Sequence, residues 1–197
     1  MNQPTTAHGG PDPDQDVVAL LMAQHGQIRN LFDEVEATSG EARRDAFGRL
    51  VRMLAVHETA EEEVVHPLAK RTAEGGENIV AERLEEERQA KEALASLEEM
   101  DPEDEKFLPA LLRLRMDVEQ HARAEERYEF AQLRRNTEPS QLATLAKSVK
   151  AAEATAPTHP RPGVESGAKN AALGPFAAIK DRVKDAMRGS GSRSSSG

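Results

Sequence analysis

The chain of 197 residues carries 26 Lys and Arg against 35 Asp and Glu, a formal net charge of -9, with 38% hydrophobic residues and no Cys. That is enough for one ordinary domain with tails. It excludes disulfides and any Cys-ligated zinc, iron-sulfur or haem site, and an acidic body makes a poor partner for nucleic acid, whose phosphates need clustered positive charge.

One Tyr, five Phe and no Trp stand against an abundance of Ala, Leu, Glu, Arg and Lys, a composition that favours helix and shows no convincing strand. The N-terminus lacks the basic and apolar regions of a signal peptide and no apolar run approaches a membrane span, so a cytoplasmic protein without a membrane partner is expected.

Residues 1–13 are rich in Pro, Gly and Thr and read as a disordered arm, with His8 solvated. From Asp14 an apolar stripe runs through Val18, Leu21, Ile28, Phe32 and Val35. His25 falls on it, four residues after Leu21 and three before Ile28. Ser39 and Gly40 break the pattern, and a second helix is expected over residues 41–71 with Phe47, Leu50, Leu54, Val64 and Leu68 on one face. His57 and Glu61 continue that face. Gly75 and Gly76 end it.

A third helix over residues 78–100 carries Val80, Leu84 and Leu94 in register, with Glu87 in mid-stripe. After the turn at Asp101-Pro102, a fourth helix bears Leu111, Leu114 and Val118, then His121, Glu125 and Tyr128 on the same line; Pro109 either sits in its first turns or kinks it. A weaker helix over residues 140–153 and a Pro-rich linker, ATAPTHPRPG, follow, with His159 expected at the surface. The last amphipathic piece, with Phe176, Ile179, Val183 and Met187 mostly opposite Lys180, Arg182, Lys184 and Arg188, is expected foremost to dock on the bundle, with membrane-surface binding and a partner contact as the other readings, and residues 190–197 are expected to be disordered. Residues 136–197 hold 9 basic and 5 acidic side chains and the preceding part 17 and 30, so a basic tail follows an acidic body.

The expected architecture is all-α: an antiparallel up-down-up-down four-helix bundle over residues 14–135, with short C-terminal helices in an extension over 136–189. Two stretches of it repeat each other. His57 opens HETAEE and His121 opens HARAEE, both His-Xaa3-Glu-Glu. On a helix, residues i and i+4 lie about 40° apart and roughly 6 Å along the axis, so each His and its Glu point the same way and form a ligand pair. His25 and Glu87 fall at matching depths on the other two helices. Six such groups on core-facing stripes (His25, His57, Glu61, Glu87, His121 and Glu125) are costly to bury without a compensating charge. A dinuclear cation site supplies it, as in other bundle cores.

This layout, with the His66-Pro67 pair that follows, resembles the hemerythrin-like, HHE cation-binding family of non-haem diiron proteins over residues 14–135. The resemblance implies two iron ions with an oxo or hydroxo bridge, His25, His57 and His121 as terminal ligands, and Glu61 and Glu125 as bridging carboxylates. It departs on the third helix, where the family has a His and this chain has Glu87. A ligand set poorer in nitrogen and richer in hard oxygen favours the ferric state. The expectation is therefore redox turnover of a small molecule, foremost catalase-like breakdown of hydrogen peroxide, with nitric oxide or oxygen chemistry beside it. The alternative is a non-catalytic module that binds or senses oxygen or iron.

Five further residues carry expectations. Tyr128 either assists catalysis by bonding a ligand or contacting iron, or is an ordinary core tyrosine. Glu58 matches an acid that can serve as a ligand in some relatives, the alternative being a helix-interface or surface charge. Glu62 and Glu126 are expected to face water or pair along their helices. His66 stands where the family has an aromatic residue, and is expected off the ligand layer in a supporting role.

Overall fold

The computed structural model describes residues 16–160. The N-terminal arm, the amphipathic piece beyond residue 175 and the Ser-rich end lie outside the described residues. The secondary structure within them is helical: α1 (Val17–Ala37), α2 (Gly40–Ala60), α3 (His66–Thr72), α4 (Gly76–Glu98), α5 (Phe107–Ala124), α6 (Ala131–Asn136) and α7 (Pro139–Glu153). Two of the joints are π-helical turns rather than loops. Glu61–Val65 runs α2 straight into α3, and Glu125–Phe130 runs α5 into α6. The chain thus forms the four rods expected of an antiparallel bundle, plus α7.

Local chemistry sets the ends of these rods. Asp16 caps α1 by accepting from the backbone N–H of Val18 at 2.8 Å and of Ala19 at 3.4 Å, groups that would otherwise lack partners. Gly75 turns the chain between α3 and α4 at φ 70°, a left-handed conformation that side chains with a Cβ resist. Pro109 lies in the first turn of α5, where its missing N–H costs nothing.

The core comes in two parts with a polar layer between them. One apolar cluster holds Leu21, Val64, Leu68, Val80, Phe130 and Leu133; the other holds Ile28, Phe32, Leu50, Leu54, Leu94, Phe107, Leu111 and Leu114. Along every rod the sequence crosses from one cluster to the other through buried polar residues: His25 on α1, His57 on α2, Glu87 on α4, and Glu125 after α5. Each fully buried Leu or Phe stabilises the fold by about 1.5–3 kcal/mol. The two apolar blocks therefore hold the polar layer in place from above and below.

α7, expected in an extension beyond the bundle, shares the first of these clusters through Leu142, Leu145, Ala146 and Val149. It packs on α1 and α2 and covers Val17 and Val18, which are 1% exposed. Among the described residues no helix is long and apolar enough to cross a membrane.

Candidate metal centre

The layer between the clusters draws the six expected residues together. His25, His57, Glu61 and Glu125 offer ligand atoms that all lie within 4.8 Å of one another, and so do Glu61, Glu87, His121 and Glu125. The two groups share Glu61 and Glu125. The layer thus offers two overlapping groups of candidate metal ligands.

The imidazoles are oriented from outside. His25 Nδ1 meets Glu126 Oε1 at 2.9 Å, His57 Nδ1 meets Gln24 Oε1 at 2.8 Å, and His121 Nδ1 meets Glu86 Oε2 at 2.9 Å. Each partner is an acceptor, so Nδ1 carries a proton and Nε2 is the nitrogen left to offer a lone pair to a metal. All three Nε2 atoms face the shared carboxylates. His25 and His121 stand 3.4 Å from Glu125 Oε2, and His57 stands 3.3 Å from Glu61 Oε2.

The protein itself satisfies this layer only in part. His25 Nε2, His121 Nε2, both oxygens of Glu61, both of Glu125 and Oε2 of Glu87 are buried without a hydrogen-bond partner. Orphaned buried polar atoms are each costly, and seven converging on one layer fit bound cation, which would accept their lone pairs.

The electrostatics of the metal-free layer show the same strain. Burial, then the Glu125 carboxylate, pushes Glu61 well above the usual carboxylate range. Burial, then neighbouring His25, lowers His57 to about 3. Burial would raise Glu125 and Glu87 as well, but His121 holds Glu125 well below its ordinary value and His66 holds Glu87 below its own. The layer is a set of charges that compensate one another only in part.

Three sequence expectations are corrected here. Tyr128 does not face the layer: it is 52% exposed, with Arg127 over its ring at 5.3 Å. The reason is the π turn that begins at Glu125. Its wider i→i+5 spacing replaces the i+3 alignment of a regular helix, so Tyr128 rotates outward while Glu129 and Phe130 rotate inward. Glu62 does not face water either. It is 3% exposed and paired with the buried Lys91 of α4, because the π turn over Glu61–Val65 turns adjacent residues Glu61 and Glu62 both inward. His66, finally, is not off the layer. Its backbone N–H bonds to the carbonyl of Glu61, five residues back, and its ring reaches Glu87.

Sequence reasoning missed several partners. Gln24, Glu86 and Glu126 each sit next to a layer residue in sequence, and polar residues flanking a ligand position are the signal that could have found the two carboxylates and the amide. Glu129 carries no such mark. Glu58 lies beside the layer, 6% exposed, pushed up to about 8 by burial against the pull of Lys91. His159 is at the surface, bonded to Glu98 at 2.6 Å.

A cavity of about 150 Å³ opens onto the layer between α1, α2, α4 and α5, reaching His25, His57, Glu58, Glu87 and His121. It is large enough for a few water-sized molecules. The outer wall carries Arg29, Gln89, Asp117 and Gln120, so the entrance is polar.

Comparison with known proteins points to a family described as cation-binding. Residues 16–152 match the family model described as the hemerythrin HHE cation binding domain. A hemerythrin-like protein of Schizosaccharomyces pombe is 28% identical over 169 residues, 85% of this chain and 80% of that protein. A DNA nickase of Nostoc is 27% identical over 146 residues, and the chain, 74% covered, spans 41% of that relative's length. The crystal structure of a hemerythrin HHE cation binding domain-containing protein from Mycobacterium kansasii superposes with a TM-score of 0.62 at 19% identity, covering 87% of this chain and 96% of the other, a likeness of fold.

Proposed function

The chain belongs to the hemerythrin HHE cation binding domain family, and from that premise we propose that it is a dinuclear non-haem iron protein that breaks down hydrogen peroxide. The observation that carries the reading is the set of three imidazoles tethered through Nδ1, with Nε2 turned onto two shared carboxylates. In this reading His25 and His57 would hold one iron, His121 and Glu87 the other, and Glu61 and Glu125, common to both groups, would serve both.

Two irons held this close supply two-electron redox chemistry to a small molecule. The protein's share is to bind, orient and seal. Apolar clusters on both sides of the layer exclude bulk water, and the cavity admits a molecule of the size of peroxide. Net turnover converts two peroxide molecules to two waters and one dioxygen, one molecule being reduced and the other oxidised. An iron held by Glu61, Glu87, His121 and Glu125 would have an oxygen-rich ligand set, which would favour the ferric state and suit such turnover better than reversible oxygen carriage.

Protein loaded with two irons is expected to release oxygen steadily from hydrogen peroxide in an oxygen electrode. Glu61→Ala or His121→Ala should abolish the release. Loaded protein that releases none, or that binds oxygen and returns it intact over repeated cycles, refutes the reading.

A further inference from the structure

The two cation positions are not equivalent, and the inequality leads outward to a buried chain of three side chains. His66 Nε2 lies 2.6 Å from Glu87 Oε1, and His66 Nδ1 lies 3.1 Å from Glu129 Oε1. His66 is 2% exposed, Glu87 1% and Glu129 0%. Glu129, His66 and Glu87 therefore form a continuous hydrogen-bonded line from α6's end of the fourth rod, through the second rod, to α4.

We propose that this line is a tether: His66, held by Glu129, fixes Glu87 at one of the two metal positions and sets the affinity of that position alone. Glu87 Oε1 is occupied by His66, while Oε2 is buried without a partner. The tether thus leaves Glu87 a single oxygen to offer. Glu87 belongs only to the group with His121, whereas the group with His25 and His57 does not contain it. An imidazole that fixes the rotamer of a ligating carboxylate acts through it on the ion, as outer partners of ligands generally do.

Both ends of the tether depend on the π turns. The turn after Glu61 places His66 under it, and the turn after Glu125 swings Glu129 inward in the place Tyr128 would take on a regular helix. His66 thus returns an imidazole to the third helix's corner of the layer, where the sequence has Glu87 instead of the family's His. It does so as a positioning residue, one bond removed from the ion.

The inference rests on the dinuclear reading, and one titration separates the two. Metal-free full-length protein is titrated with cobalt(II), reading two stepwise dissociation constants and the visible spectrum of each bound ion. The wild type is expected to take two equivalents. His66→Phe should weaken one step about 10–100-fold and alter that ion's spectrum, leaving the other step within about 3-fold. His66→Gln, whose amide can still donate to Glu87, should recover part of the loss. If His66→Phe does not fold by circular dichroism, Glu129→Gln serves instead, with the same step weakened by a smaller factor.

Equal weakening of both steps, or of neither, overturns the tether. A third equivalent in the wild type that His66→Phe abolishes also overturns it, since His66, Glu125 and Glu129 have ligand atoms within 4.8 Å of one another and His66 would then be a ligand itself. No cobalt uptake by the wild type would sink the dinuclear reading first.

Discussion

Removing the metal should destabilise this fold by an amount the orphaned atoms allow one to work out. Seven ligand atoms of the layer are buried without a hydrogen-bond partner. At about 1 kcal/mol for each unsatisfied buried group, the low end of the usual range, they cost roughly 7 kcal/mol. Two bound cations relieve that cost, and for a domain of this size about 1 kcal/mol moves the melting temperature by roughly 2–4 °C. Metal-loaded protein should therefore melt on the order of 15–25 °C above metal-free protein, allowing for incomplete relief.

The gap should also widen with pH. Burial pushes Glu58 up to about 8 and Glu62 up to about 9 in the metal-free layer. Their unfolded counterparts release the proton near 4.5, so above that pH the folded state holds protons that the unfolded chain has lost. Stability must fall as pH rises through this window. Burial opposes charge on His66 and His121, yet carboxylates raise both well above 6.5, and they act in the same direction: their stabilisation is full below about 6.5 and is lost as pH climbs toward the folded values. His57, lowered to about 3, opposes this only below about 6.5, where its unfolded form takes up a proton.

Between pH 6.5 and 8 the signs therefore agree. The two carboxylates alone amount to about 4 kcal/mol at roughly 1.4 kcal/mol per unit. Calorimetric or circular-dichroism melts of metal-free and loaded protein at both pH values make the test. Melting temperatures that agree within a few degrees, or a metal-free protein that grows more stable toward pH 8, would refute the reasoning.

Three other perturbations have definite outcomes. Lys91→Met takes the amine donor away from the buried Glu62 carboxyl and should lower stability by about 1–3 kcal/mol, with most of it restored in Lys91→Met/Glu62→Met; a double variant no better than the single one denies the pairing. Gln24→Ala removes the acceptor that fixes His57 and should weaken metal binding about 10–100-fold at constant fold, read by competition with a chelator. Tyr128→Phe, at a half-exposed side chain, should leave metal content and peroxide turnover within about 2-fold of wild type on the small-effect expectation for surface sites; a large loss would return Tyr128 to the site.

What could be read from residue order is what depends on the regular helix. The rods from Val17 to Asn136 follow from apolar residues at three- and four-residue spacing, because a helix of 3.6 residues per turn lines them up on one face. The same geometry brings His57 with Glu61 and His121 with Glu125, since four residues span about one turn. His25 and Glu87 enter the layer because their apolar neighbours are pinned by the cores on either side. α7 has the same period, and its docking on α1 and α2 was not legible because an amphipathic helix does not state which groove will receive it.

The rest was decided in three dimensions. A π turn has no residue signature of its own, yet it alters the register of everything beyond it, and two of them separate Tyr128 from Glu129 and bring His66 and Glu62 inside. The pairing of His25 with Glu126, His57 with Gln24 and His121 with Glu86 joins residues 33 to 101 positions apart, and depends on how far each rod slides along its neighbour. The sequence by itself determined which side chains would meet at one level of the bundle, because helical period is a local property. Only the tertiary structure determined which nitrogen each imidazole presents and which carboxylate holds it, because those follow from the relative height of rods that no local spacing encodes.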